Sequence, residues 1–167
     1  MNTILLKGTI VQLAPLSNDY IQSYLQMFSA TVRYWLHVTQ LQSEEKYLQS
    51  ELVQMQAGNS YFFVILDVLS HALIGAIAIR DPLQYSGQLY SWLNEQFWGN
   101  NRYQEALQLI THYYFQQTNA LYYTAHVDCA NVASLKALKK FGALYGGITN
   151  GGYDQQHMLL IRNKVIA

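Results

Sequence analysis

The chain has 167 residues, 51% of them hydrophobic and 12% charged, a length that fits one domain and a balance that excludes a disordered polar tail. Ten basic and ten acidic side chains cancel to a formal net charge of zero, so no basic stripe is available to a phosphate backbone and no nucleic-acid partner is expected. The single cysteine, Cys129, cannot close an internal disulfide. With no basic, apolar leader and no run approaching the ~20 residues that span a bilayer, the expectation is a cytoplasmic protein with no membrane partner.

Residues 4–13 alternate as a strand does, and Pro15 closes it. Ser17-Asn18-Asp19 signals a helix start, followed by Tyr20, Ile21, Tyr24, Leu25 and Phe28 at helical spacing. A second helix is expected from Ser43, whose hydroxyl suits a cap, with Glu44 and Glu45 in the first turn where the dipole favours acids, ending at Gly58. Residues 61–66 and 73–79 read as an antiparallel hairpin, with a third strand over 88–93. A helix over 101–117 follows, with Tyr103, Ala106, Leu107, Ile110 and Tyr114 on one stripe, then a strand over 121–127. Asn131 caps another helix, which Gly142 ends, and residues 143–148 and 153–161 form a last hairpin turning through Asn150-Gly151-Gly152. Strand, two helices, three strands, helix, strand, helix and two strands make a mixed sheet with helices on its faces, one domain over residues 1–167. The fourteen tyrosines are expected mostly in the core with wet hydroxyls, and they make a homodimer plausible.

No CxxC, HExxH, GxxxxGK[ST] or GxSxG pattern is present, and the five histidines have no ligand spacing, so no metal is expected. The informative stretch runs from Asn94 to Leu107. It joins a strand to an amphipathic helix through a turn holding Gly99, Asn100 and Asn101. Free backbone amides at such a helix start, with the dipole, make an anion site. A second segment, Asn131-Val132-Ala133-Ser134 through Lys140-Phe141-Gly142, follows the next strand.

Together these two segments resemble the acetyl-CoA-dependent N-acetyltransferases of the GNAT superfamily. That family carries a [QR]-x-x-G-x-[GA] turn after its fourth strand, matched by Gln96-Phe97-Trp98-Gly99-Asn100-Asn101, and an N-x-x-[AS]…L-x-K-x-G-F segment after its fifth, matched at Asn131, Ser134, Lys140 and Gly142. Trp98-Gly99, Glu105-Ala106, Leu138 in place of a tyrosine common in relatives, and the opening run from Leu6 to Leu16 are similar to the ribosomal-protein N-terminal (alanine/serine) acetyltransferase branch. The resemblance implies an α/β fold with a mixed, mostly antiparallel central sheet, splayed fourth and fifth strands, and helices on both faces. It also implies acetyl-CoA as cofactor, its pyrophosphate on the turn formed by Gln96, Trp98, Gly99, Asn100, Asn101, Arg102 and Tyr103. The backbone of Trp92, Leu93 and Asn94 would hold the pantetheine arm and polarise the thioester carbonyl. Asn131 would bond the arm, Ser134 would protonate or orient the leaving thiolate, and Lys136, Lys139 and Lys140 are candidates for phosphate contacts.

Three positions depart from the pattern. Asn101 replaces the second glycine, although Asn tolerates left-handed backbone. Tyr103 replaces a small residue, so its ring either enters the core or fills the cradle; Arg102 is suited to contact phosphate in compensation. Gln88 stands where relatives often carry a glutamate base, leaving Glu95 as the substitute and Asp128 and His126, on one face of their strand, as further candidates. A weak base suffices for an α-amine, whose pKa near 7.7–8 leaves a useful neutral fraction, so the acceptor is expected to be a protein or peptide N-terminal α-amine attacking directly in a ternary complex. Tyr34, Trp35 and His37 lie where relatives wall the acceptor side, and their aromatic character suits a peptide or apolar amine. The alternative is a catalytically degenerate member that binds a ligand or partner through the same fold.

Overall fold

A computed structural model describes residues 4–81, 86–150 and 154–165. It contains eight strands, β1 Leu6–Lys7, β2 Val11–Pro15, β3 Ser60–Asp67, β4 Leu73–Arg80, β5 Ser86–Leu93, β6 Tyr122–Asp128, β7 Leu144–Asn150 and β8 Asp154–Ile161. Six helices accompany them, α1 Asn18–Met27, α2 Ala30–Trp35, α3 Leu41–Gln56, α4 Arg102–Gln117, α5 Val132–Phe141 and α6 Arg162–Val165, with a single 3-10 turn at Glu95–Phe97. The strands form one sheet in the order β1-β2-β3-β4-β5-β6-β8-β7, antiparallel throughout except for the parallel pair β5 and β6. A parallel neighbour requires a crossover, and α4 provides it.

Helices cover both faces, which explains why β3 and β4 are nearly continuous apolar runs rather than alternating ones. Phe62, Val64, Ala76 and Ala78 pack with Tyr24, Val32 and Leu48 of α1, α2 and α3. Phe63, Ile65, Ile77 and Ile79 pack with Leu107, Ile110 and Tyr114 of α4 and Leu135 and Leu138 of α5. The buried tyrosine hydroxyls are bonded to protein rather than wet: Tyr24 donates to Glu44 at 2.6 Å, Tyr114 donates to Asp81, and Tyr123 pairs with Thr111 at 2.6 Å.

The expected single strand over 4–13 is a two-stranded hairpin, β1 pairing back on β2. Its turn is held from a distance: the Glu105 carboxylate accepts from the Thr9, Ile10 and Val11 amides and from the Thr9 hydroxyl, at 2.7–2.9 Å. The helix expected from Ser43 starts at Leu41, and two short helices, α2 and α6, add to the expected set. Ser17 occupies the cap position of α1 but makes no side-chain cap bond, whereas Asn131 caps α5 by accepting from the Ser134 amide at 3.1 Å. Gly142 ends α5 at φ +105°, in the left-handed region. Of the turn expected through Asn150-Gly151-Gly152, Asn150 ends β7 and the two glycines lie outside the described residues.

Candidate active site

β5 and β6 pair only from Ser86↔Tyr122 to Leu89↔Ala125, and beyond that point they part. The other edge of β5 stays zipped to β4 as far as Gly75↔Leu93, so the opening is one-sided. The Asn94 amide still donates to the Ile74 carbonyl at 2.9 Å. Backbone direction alternates along a strand, so Trp92 and Tyr90 also turn their backbone groups to β4, while Ser91 and Leu93 turn theirs into the opening. The opening is part of a cleft of about 1000 Å³. The α4–α5 side is lined by Gly99, Tyr103, Asn131, Ser134 and Ala137; the opposite side by Trp35, Glu44, Tyr47 and His126.

At one end stands the turn that enters α4. Gly99, Asn100 and Asn101 have φ of +91°, +50° and +58°, three successive left-handed residues. Glycine and asparagine are the residue types that tolerate this, so Asn101 preserves the turn's backbone in place of a glycine. A Cβ at Gly99 would meet nothing within 4 Å, so the space above the turn is open. Among the described residues the amides of Gly99, Asn100, Asn101, Tyr103 and Gln104 have no acceptor in the chain, while those of Arg102 and Glu105 are used at 3.3 and 2.9 Å. Unpaired amides at the positive end of a sixteen-residue helix fit a phosphate group.

Tyr103 does not fill this cradle. Its ring packs on the core side of the cleft wall and its hydroxyl meets Ser91 Oγ at 2.8 Å. Burial pushes that phenol's pKa up, against the Ser91 hydrogen bond. Trp98 lines the cleft and its indole donates to the Leu93 carbonyl at 2.8 Å, using one of the outward backbone groups of β5. Trp92 lines the other wall, its indole donating to the Tyr24 hydroxyl at 2.9 Å. Ser134, in the first turn of α5, lines the cleft with Asn131.

Several of the sequence-derived positions stand elsewhere. Asn94 is buried behind the strand end, donating to the Met27 carbonyl at 2.9 Å and accepting from the Gln96 amide at 3.1 Å. Gln96 itself is exposed and outside the cleft lining. Arg102 turns away from the cradle to Asp67 at 3.3 Å. Glu95 accepts from the Ser29 hydroxyl at 2.5 Å at the entry of α2 and lies outside the lining. That bond, opposed by desolvation, holds its carboxyl below the ordinary value, which makes it a poor base. Asn100 and Asn101 contribute turn backbone, and Asn101 Oδ1 accepts from Lys140 at 3.1 Å. Trp35 lines the cleft, whereas Tyr34 is 69% exposed, stands outside the lining and meets Trp35 edge-on, with ring centroids 4.9 Å apart.

The structure gives His126 and His37, both singled out in the sequence, surroundings that local signals do not reveal, and it adds Glu44 to the site. His126 lies on β6 just past the last paired residue, stacked on His157 with centroids 4.0 Å apart and 3.4 Å from the Gln88 amide. Desolvation and then the neighbouring His157 charge lower its pKa, favouring the neutral imidazole. His37 joins the α2–α3 connection to the end of β6 by meeting Asp128 at 3.3 Å. Glu44, which the sequence places merely in a helix's first turn, is 4% exposed and lines the cleft together with Tyr90.

A mixed sheet parted at its parallel pair, with an anion-ready helix start at one end of the gap, makes this an α/β domain with a cleft suited to an elongated, phosphate-bearing ligand. Residues 11–144 match the family described as the acetyltransferase (GNAT) domain, and the chain belongs to that family. Among solved structures it is similar to RimL, a ribosomal L7/L12 alpha-N-protein acetyltransferase in complex with coenzyme A (TM-score 0.82, 16% identity, 95% of this chain and 98% of that one). It is equally similar to the Salmonella typhimurium acetyltransferase that modifies the N-terminal serine of ribosomal protein L7/L12 (0.82, 16%, 95% and 99%). A ribosomal-protein-S5-alanine acetyltransferase from Vibrio fischeri also matches (0.81, 14%, 98% and 100%). At these identities the likeness establishes the fold. No curated protein matches by sequence. Among the described residues no helix is long and apolar enough to cross a membrane, and no His, Cys, Asp or Glu group is arranged to hold a metal.

Proposed function

We propose that this protein, as one domain, transfers the acetyl group of acetyl-CoA to a primary amine, the N-terminal α-amine of a protein or peptide. The observation that carries the reading is the parting of β5 from β6 after Leu89, with the free amides of the Gly99–Asn101 turn at the end of the gap. Family membership and the coenzyme A in the RimL neighbour support it. When bound, acetyl-CoA supplies an activated thioester and a good leaving thiolate.

The chain's own groups have separable tasks in this reading. The turn amides and the α4 dipole hold the pyrophosphate. The outward amides of Ser91 and Leu93, with the Ser91 carbonyl, hold the pantetheine arm, and the amides polarise the thioester carbonyl as donors fixed before the reaction begins. Asn131 holds the arm, and Ser134 places its hydroxyl to pass a proton to the departing sulfur. His126 replaces Glu95 as the base: it is in the cleft, and its lowered pKa keeps it ready to take a proton from the incoming amine. Trp35 with Val32 and Val38 walls the acceptor side with apolar surface.

Calorimetric titration with acetyl-CoA, against free CoA, tests the cradle. Micromolar binding is the expected result, followed by thiol release when peptides with free N-termini are added. No binding at millimolar acetyl-CoA overturns the transferase reading.

A further inference from the structure

The cleft is longer than the thioester end requires. Its lining extends along β5 from Leu93 back to Gln88 and to Arg80, the β4 partner of Gln88. Five strand intervals span about 17 Å at 3.4 Å each. Midway along this far lobe is Glu44, reached from α3 over the side chain of Tyr90.

The two carboxylate oxygens of Glu44 have different surroundings. Oε1 accepts from the Tyr24 hydroxyl at 2.6 Å and from the Tyr90 hydroxyl at 3.0 Å. Oε2 has no hydrogen-bond partner among the described residues, yet it is not among the sealed polar atoms without a partner; of those the described residues show Arg33 Nε. Since Glu44 is 4% exposed and lines the cleft, its remaining access is through the cleft, at Oε2. The neighbouring cation is already committed: Arg80 pairs with Glu51 and lies over the Tyr47 ring, 4.9 Å from its centroid. Burial raises the Glu44 pKa, the two phenols opposing it, which is the signature of a carboxyl held in a poorly solvated place.

An acceptor-only group, largely desolvated and half unsatisfied, gains most from a cationic N–H donor. The geometry points to Glu44 as the specificity determinant for the acceptor: while the α-amine stands at His126, Oε2 receives a second, positively charged nitrogen carried by a side chain near the peptide N-terminus. The substrate class is therefore a basic N-terminal segment rather than an apolar one. Tyr24 and Tyr90 hold the carboxylate so that a single oxygen faces the cleft. This assignment rests on the transferase reading above.

Tripeptides with arginine or its uncharged isostere citrulline at the first, second or third residue provide the test, because neither side chain is itself an acetylation site. For the wild-type protein the expected kcat/KM favours arginine at one of these positions by tenfold or more, with the difference in KM. In Glu44→Gln, which keeps the side-chain shape, that ratio is expected to fall to about one. Glu44→Asp, which keeps the charge on a shorter arm, is expected to retain part of the preference. A wild-type ratio near one at all three positions, or an unchanged ratio in Glu44→Gln, overturns the assignment and leaves the transferase reading standing. Acetyl-CoA binding without transfer to any of these peptides overturns the basic-peptide class as well. Failure of the wild type to bind acetyl-CoA overturns the transferase reading and this inference together.

Discussion

His126 and Glu95 show how one contact decides what a titratable side chain can do. Both stand near the parted strands, but the Ser29 hydroxyl stabilises the charged form of Glu95, whereas desolvation and His157 destabilise the charged form of His126. An essential base must be unprotonated, so the acid limb of kcat/KM is expected below the ordinary histidine value near 6.5. Replacing His157 with glutamine removes the positive neighbour, so the His126 pKa rises and the limb moves to higher pH. His126→Ala is expected to lose about a hundredfold or more in kcat/KM, the usual contribution of a positioned base, while acetyl-CoA affinity measured by calorimetry stays within a few-fold. A limb that ignores the His157 change would assign the base elsewhere.

Contacts between distant elements mark where sequence reading runs out. Helices α1, α4 and α5 are legible because each carries its own period and stop signals, and strands β3 and β4 because each is a short apolar, β-rich run bounded by turn residues. The left-handed turn is legible too, because Gly99 and two asparagines are suited to it chemically. The β1–β2 hairpin is not, since its turn is organised by Glu105, more than ninety residues away. For the same reason Arg102 reads as a phosphate ligand until Asp67 is placed beside it, and Glu44 reads as a helix-start acid until Tyr24 and Tyr90 converge on it. The hairpin gives a direct test. Desolvation alone would raise the Glu105 pKa, but bonds from the Thr9 hydroxyl and the Val11, Thr9 and Ile10 amides outweigh it and hold the carboxyl low. Charge-assisted bonds of this kind are worth about 1.5–3 kcal/mol each and are not additive, so Glu105→Ala is expected to cost about 2–3 kcal/mol in total. A depressed folded-state pKa contributes stability fully above the unfolded value, near 4.3, and loses it as pH falls through the folded value. Denaturation curves of wild type and Glu105→Ala are therefore expected to differ most at neutral pH and to converge as pH drops below about 4. Equal separation at every pH would show that the carboxylate's charge has no part in holding the turn.

The whole molecule solves a conflict between a continuous sheet, which is the stable arrangement, and a gap, which is the useful one. The two hydrophobic clusters, one on each face, hold β3 and β4 in register on both edges, so the sheet can forgo pairing between the far halves of β5 and β6 without coming apart. The gap leaves backbone donors unpaired on one strand edge and at one helix start, and such groups favour any ligand that supplies acceptors. Local stability should therefore be lowest along that edge. By hydrogen exchange, the amides of Ser91 and Leu93 are expected to exchange orders of magnitude faster than those in the middle of β3, where strands flank both edges. Acetyl-CoA at a hundred times its dissociation constant adds about 2.7 kcal/mol to folding stability, which for a chain of this size raises the melting temperature by about 5–11 °C. The same addition should slow exchange at Ser91, Leu93 and the turn amides of Gly99 to Asn101, leaving the β3 centre governed by global unfolding. Protection confined to the turn would mean that the phosphates bind while the arm does not lie along β5. Protection at both places would put the thioester against the outward-facing groups of that strand, where the open edge of the sheet becomes the donor array for transfer.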